Sequence, residues 1–140
     1  DALIEGQYAD RPQLRPILDA VLAILPELAP VTVRPRGTLV TLFTPRRAFA
    51  AVRATTRSRV DLGLRLDGTG PGGRLLAAGN VGGGGVTVRV ALTSPDDVDD
   101  EVRDLLRRAY AENAAPAPRP RPARPGGSTS GPRRPAASAR

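Results

Sequence analysis

The sequence predicts an α+β domain: an antiparallel sheet of about five strands packed against an N-terminal and a C-terminal helix. Two patterns support this class. Apolar residues recur every three or four positions near the start of the chain and before residue 110, as in amphipathic helices. In the middle they alternate with polar residues, as in strands with one exposed face. Residues 1–114 are therefore expected to form one domain of the 140-residue chain.

The first helix is predicted from about Arg11 to Leu28. Asp10 can cap it, and Pro12 falls in its first turn, where a missing N–H donor costs least. Pro16 favours a regular start nearer Leu14, Pro26 is expected to weaken the final turn, and Pro30 is expected to end the helix. Its apolar stripe consists of Leu14, Leu18, Val21, Leu22, Leu25 and Leu28.

Strands are expected next, where the apolar period changes from about 3.6 to two. They are predicted at Val31–Val33, Thr38–Thr44, Ala48–Ala54, Ser58–Leu66 and Val86–Leu92. Pro35 and Gly37 are expected to interrupt the first strand, and the phenylalanines Phe43 and Phe49 are expected in the core. In the last two strands the residues expected to face inward are Val60, Leu62, Leu64, Leu66, Val86, Val88, Val90 and Leu92. Those expected on a polar outer face are Arg59, Asp61, Gly63, Arg65, Thr87, Arg89 and Ala91.

The last helix is predicted after a glycine-rich connection. Residues 67–85 contain nine Gly, with a short strand or turn expected at Arg74–Ala78. Ser94 is a good N-cap, Pro95 suits the first helical position, and Asp97 completes a spacing like that of a capping box. The buried stripe is expected at Val98, Val102, Leu105, Leu106 and Ala109.

The C-terminal segment, residues 115–140, is predicted to be disordered. It contains six Arg and many Pro, and it lacks acidic residues, Val, Leu, Ile and aromatic residues. Such a composition cannot offset the entropy of ordering by burial. Its charge alone predicts weak, non-specific attraction to polyanions.

Composition excludes several kinds of chemistry. The chain has no His and no Cys, and all 21 basic residues are Arg. These absences remove Ser-His-Asp triads, cysteine nucleophiles, the usual zinc ligands and Schiff-base lysines. We therefore expect a protein that is not an enzyme and has no cofactor or metal. The apolar runs are far shorter than the roughly 20 residues of a membrane helix, and no export signal is evident, so a cytoplasmic protein without a membrane partner is expected.

Positive charge is concentrated in residues 34–65, which hold eight Arg and one acidic residue. Arginine binds carboxylates and phosphates through its bidentate fork. The candidate binding residues are Arg46, Arg47, Arg57, Arg59, Arg65 and Arg89. We expect an Arg-bearing sheet face that docks a protein partner or an upstream domain. The alternative is a nucleic-acid-associated module that binds the phosphate backbone through residues 34–65 and the basic tail, although base stacking is disfavoured by the small number of aromatic residues. A third interpretation is that the acidic last helix neutralises this basic surface, which then binds no partner.

Three stretches carry a family resemblance: residues 49–66, which contain Val60-Asp61-Leu62-Gly63-Leu64, then residues 92–102, and then residues 105–110, which end in Arg108-Ala109-Tyr110. Over about residues 7–113 the chain resembles the bacterial domain-of-unknown-function family numbered 5655. The resemblance implies an α+β domain similar to the YdhG-like fold, often preceded by a small helical domain or found beside nuclease-like domains. A start at Asp1 is consistent with such an upstream domain. The family has no established catalytic residues, and the His that members often carry near residues 86–89 is absent from this chain.

Overall fold

The computed structural model describes residues 2–28, 30–79, 81 and 85–115. Its six strands form one antiparallel sheet in the order β1-β2-β3-β4-β6-β5. The strands are β1 (Thr32–Arg36), β2 (Leu39–Phe43), β3 (Ala48–Ala54), β4 (Val60–Leu64), β5 (Leu76–Ala77) and β6 (Val88–Leu92). The helices are α1 (Ala2–Tyr8), α2 (Arg15–Leu22) and α3 (Asp100–Ala114). The predicted α+β class is confirmed, with a sixth strand at the expected position between residues 74 and 78. The predicted disordered tail lies outside the described residues, except for Ala115.

The helices cover one face of the sheet, which we call the inner face. The strand register places Val40, Val52, Leu62 and Val90 in one row across β2, β3, β4 and β6, and these residues belong to the same buried cluster as the helix stripes. A β-bulge in β3, between the pairs Leu42–Ala50 and Phe43–Ala48, turns Phe49 towards α3. There its ring meets Tyr110 edge-on, with 5.2 Å between ring centroids.

The prediction of one helix from Arg11 to Leu28 is wrong in its continuity. Regular helix is confined to α2, and 3-10 turns flank it at Pro12–Leu14 and Leu25–Glu27. Proline explains the C-terminal boundary, because the ring of Pro26 would clash with the carbonyl of Leu22, four residues earlier. Helix α1 was not predicted, since only Ile4 and Tyr8 of its seven residues are buried and two positions make no recognisable stripe.

The last helix starts later than predicted. Ser94 does act as a cap, but of a single 3-10 turn, Pro95–Asp97, where its side chain accepts a hydrogen bond from Asp96 N. Helix α3 begins at Asp100, and Asp99 is its N-cap, accepting a hydrogen bond from Val102 N at 3.1 Å. Two capping residues five positions apart compete here, and the second one starts the regular helix.

The outer face of β4 is not polar and exposed, as predicted, but buried along the whole strand. Val81 and Val86 pack against Gly63: a Cβ atom there would lie 2.7 Å from Val81 Cγ1 and 2.8 Å from Val86 Cγ1. Val86, predicted to face the core, therefore covers the outer face, and the inward alternation begins with Val88. The glycine-rich connection thus returns across β4. No helix within the described ranges is long and apolar enough to cross a bilayer.

Candidate functional site

The outer face of β1, β2 and β3 forms a surface that we call the outer patch. Alternation and strand register place eight residues there, on the side of the sheet opposite to the helices: Thr32, Arg34, Arg36, Leu39, Thr41, Phe43, Ala51 and Arg53. Arg34 and Arg36 are exposed, whereas Leu39, Phe43 and Arg53 are half-buried. The patch therefore carries three positive charges, no acidic residue and accessible apolar surface.

Phe43 lies within this patch and not in the core, where it was expected. The bulge in β3 turns Phe49 inward, and β2 leaves Phe43 half-buried on the outer face. The guanidinium carbon of Arg34 lies 5.6 Å from the centroid of the Phe43 ring. This is a cation–π contact, typically worth about 0.5–1 kcal/mol at an exposed site, and it holds one arginine flat on an apolar surface.

The other aromatic residues lie on the helix side of the sheet. Phe49 and Tyr110 contact each other there, and Tyr8 is buried in the same core cluster. Burial raises the pKa of Tyr8 to about 12, so its phenol stays protonated at neutral pH. Of the four aromatic residues in the chain, only Phe43 is therefore available to a ligand of the outer patch.

Both edges of the sheet are poor templates for an added strand. Edge strand β1 contains Pro35 between Arg34 and Arg36, and a proline lacks the N–H that strand pairing requires. The other edge, β5, has two residues. The prediction that Pro35 interrupts the first strand is wrong, because an edge strand tolerates proline when its nitrogen faces solvent. The outer patch, and not an edge, is thus the surface suited to contacts.

Two of the sequence-predicted binding residues are brought together around a buried carboxylate. Asp61 is 2% exposed, and its Oδ1 lies 3.1 Å from both Arg59 Nε and Arg89 Nη1. Thr55 donates a hydrogen bond of 2.7 Å to Oδ2. The cluster keeps a net charge of +1 and borders the outer patch, since Asp61 pairs with Arg53 across β3 and β4.

Arg46 and Arg47 lie at the opposite end of β3, where they cap the C-terminus of α3. Arg47 Nε donates to Asn113 Oδ1 at 2.8 Å, and Arg46 donates to the carbonyl of Ala115. Asn113 is fully buried and donates in turn to the carbonyl of Arg65 at 2.9 Å. Positive charge is favourable at this negative end of the helix dipole, so these two arginines have a structural role.

The remaining predicted residues are separated from both groups. Arg57 is exposed in the turn between β3 and β4, and its carbonyl accepts a hydrogen bond of 2.7 Å from Gln13. The Arg65 guanidinium is covered by Gly85, where a Cβ atom would lie 2.7 Å from Nη1. The six predicted residues therefore do not form one site.

The acidic start of α3 is held by the glycine-rich connection. Arg74 Nη1 donates to Asp99 at 2.9 Å and to Glu101 at 3.1 Å, and Nη2 donates to the carbonyl of Asp97 at 2.9 Å. Hydrogen bonds from Thr93 hold the pKa of the Asp97 carboxyl below its usual value. The hydrogen bond from Val102 N, together with Arg74, does the same for the pKa of Asp99. The described residues contain no group of three acidic side chains that could hold a metal ion.

Comparison with protein families places the chain. The model of the family described as "Domain of unknown function (DUF5655)" matches residues 4–113. The chain belongs to this family. No curated protein and no solved structure gives a significant match. The family membership expected from the sequence is thus confirmed across nearly all the described residues.

Sequence reasoning on this DUF5655 member missed the outer patch although its signal is present. Arg34 and Arg36 are two residues apart and so share a face of any extended strand, but the expected break at Pro35 concealed this. Phe43 lies two residues from Thr41, which pairs with Arg34 across β1 and β2. Phe43 therefore shares the face of Arg34 and Arg36. Asn113 carried no signal, because its partners are 48 and 66 residues away.

Proposed function

We propose that this domain is a non-catalytic interaction domain that docks an acidic protein surface on the outer patch. One observation carries the proposal: a sheet face without helices presents three arginines beside half-buried Leu39 and Phe43, with no acidic residue among them. Arginine and aromatic residues are enriched in protein interfaces, where they combine apolar contact with hydrogen bonds.

The non-catalytic part of the proposal is supported by the residue types available. The patch offers Arg, Thr, Leu, Phe and Ala, and the chain lacks His, Cys and Lys. General base or nucleophilic catalysis would have to use a carboxylate or a hydroxyl alone. Asp61, which borders the patch, already contacts Arg59 and Arg89.

The second candidate function is binding of single-stranded nucleic acid on the same patch, and the Arg34–Phe43 contact favours it. A base could stack on the Arg34 guanidinium, which lies over the Phe43 ring, while Arg36 contacts a phosphate. Proteins that bind single strands generally stack successive bases on several aromatics, whereas this face offers one. We therefore place an acidic protein partner first.

The test uses the full chain and two variants with the same change in charge. Arg34→Gln/Arg36→Gln removes two charges from the outer patch, and Arg133→Gln/Arg134→Gln removes two from the C-terminal segment. Binding of a fluorescent Glu-rich peptide is measured by anisotropy at low and at physiological salt. We expect the patch variant to bind roughly tenfold more weakly and the C-terminal variant within about threefold of the parent protein. The opposite order would assign the affinity to the C-terminal segment and refute the proposal.

Phe43→Leu separates the two candidate functions. It keeps an apolar side chain but removes the ring, and stacking of one base is worth about 1–3 kcal/mol. An acidic peptide should bind this variant almost as well as the parent protein. If oligothymidine binds the parent more tightly than the peptide does, and Phe43→Leu weakens that binding at least about fivefold, the nucleic-acid function is the correct one.

A further inference from the structure

A cleft of about 530 Å³ opens at the end of the sheet, between α1 and the turn that joins β1 to β2. Small-molecule sites in proteins usually have volumes of roughly 300–1,000 Å³. Its walls come from α1, from that turn and from the end of β3: Ala2, Leu3, Gly6, Gln7, Asp10, Arg11, Gly37, Thr38, Arg53, Ala54 and Thr55. It is separate from the Arg34–Phe43 contact and shares only Arg53 with the outer patch.

The walls of this cleft are held in place by hydrogen bonds between distant parts of the chain. Gln7 Nε2 donates to the carbonyl of Leu39 at 2.9 Å, which joins α1 to β2. Arg11 Nη1 donates to the carbonyl of Ala54, which joins the segment after α1 to the end of β3. Thr55 is held by its hydrogen bond to Asp61. The cleft is therefore preformed, which reduces the entropic cost of binding a ligand.

One part of the lining is polar and carries net positive charge. Two arginines, Arg11 and Arg53, line the cleft together with one carboxylate, Asp10. Arg11 is partly exposed, and its Nε lies 3.8 Å from Asp10 Oδ1. A guanidinium has five N–H donors, so the contacts of Arg11 with Ala54 and Asp10 orient the group without using all its donors. The hydroxyls of Thr38 and Thr55 supply further polar groups at the same wall.

Another part of the lining is apolar and open. Leu3 is 63% exposed, the more exposed of the two large hydrophobic residues found at the surface of the described chain. Next to it along α1, a Cβ atom at Gly6 would meet nothing within 4 Å. An oriented guanidinium and an exposed leucine on one cleft match a ligand that has an anionic group at one end and an apolar group at the other.

We propose that this cleft binds a small organic anion that carries an apolar group, with its carboxylate or phosphate on Arg11 and its apolar portion against Leu3 and Gly6. The two anionic groups share the bidentate geometry that a guanidinium recognises. The site can be tested separately from the proposed docking function, because Arg53 is the patch residue that lines it and neither Arg34 nor Arg36 does.

The experiment titrates the isotope-labelled full chain with four probes and follows the amide NMR signals of Gly6, Gly37 and Thr38. Benzoate and phenyl phosphate carry both groups, acetate is an anion alone, and benzyl alcohol is a ring alone. We expect saturable shifts with benzoate or phenyl phosphate, whichever anion the site prefers, at least about tenfold tighter than with acetate or benzyl alcohol. Equal affinity for benzyl alcohol or for acetate would overturn the proposal.

Variants at Gly6 test whether the shifts arise in the cleft. Gly6→Leu should fill the open space and weaken probe binding at least about tenfold, while Gly70→Leu, outside the cleft lining, stays within about twofold of the parent. Neither should destabilise the fold, since a Cβ atom at either position would meet nothing within 4 Å. Leu3→Ser, at an exposed position, should weaken the binding of benzoate or phenyl phosphate but not the binding of acetate. Unchanged probe binding in Gly6→Leu would overturn the proposal. The Arg34→Gln/Arg36→Gln variant should bind the probes as the parent does, so its peptide result does not decide this test.

Discussion

Substituting Gly63 by alanine tests how the glycine-rich connection covers the sheet. In an uncrowded strand, alanine would stabilise the protein by about 0.5–1 kcal/mol relative to glycine. Here the new Cβ would lie 2.7 Å from Val81 Cγ1 and 2.8 Å from Val86 Cγ1, and valine side chains rotate little. Overpacking of this kind costs about 1–3 kcal/mol. We therefore expect Gly63→Ala to lower the free energy of unfolding by about 1–2 kcal/mol, or the Tm by roughly 4–10 °C.

A double-mutant cycle assigns that loss to the contact. Val86→Ala removes two of the three atoms nearest to the new methyl group, so the double variant should be more stable than the sum of the two single effects by about 1 kcal/mol. Gly6→Ala is the matched control, because its Cβ meets nothing within 4 Å, and it should stabilise the helix by up to about 1 kcal/mol. The measurement is urea unfolding followed by circular dichroism. A Gly63→Ala protein as stable as its parent, or strictly additive effects, would refute this account of the outer face of β4.

Three further predictions concern buried or capping polar groups. Asn113→Ala should cost about 2–4 kcal/mol in urea unfolding, because Arg47 Nε and the carbonyl of Arg65 lose the buried partner that Asn113 provides; a cost below 1 kcal/mol would contradict the buried cap. Tyr8→Phe should leave stability unchanged or higher, because the buried hydroxyl meets no hydrogen-bond partner among the described residues; a clear loss would reveal a partner. The lowered pKa of Asp97 contributes stability that is fully present above its ordinary value of 3.8 and is lost as the pH falls through the lowered value. Asp97→Asn should therefore flatten the acid limb of a plot of Tm against pH, and an unchanged limb would contradict the hydrogen bonds from Thr93.

The strands were predictable because each presents a row of apolar side chains to the helices. Alternation identified β4 and β6, and apolar composition and turn signals identified β2 and β3, to within two residues at every end. Local rules also found the caps at Ser94 and the short strand near residue 76. These features were predictable because each is determined by residues that are close together in the sequence.

The errors arose where a distant segment decides the outcome. Nothing near Gly63 shows that Val81 and Val86 return to cover it, and nothing near Phe43 shows that a bulge in the neighbouring strand turns Phe49 inward instead. The candidate binding residues were affected most, because distant contacts determine which arginines lie on an open face. Charge counting found the region that contains Arg34 and Arg36, but it could not separate Arg47, which caps a helix, from Arg34, which lies on an open face.

The capping of α3 by Arg46 also fixes the position of Ala115, the last residue that the structure describes. Ala115 is held beside the turn between β2 and β3, at the far end of β3 from the cleft. Seven residues of strand at about 3.3 Å each place the two ends roughly 20 Å apart. Residues 116–140 therefore follow Ala115 at one end of β3, while the cleft opens at the other end. One extended peptide that contacted both Ala115 and the cleft would need a backbone of at least about six residues.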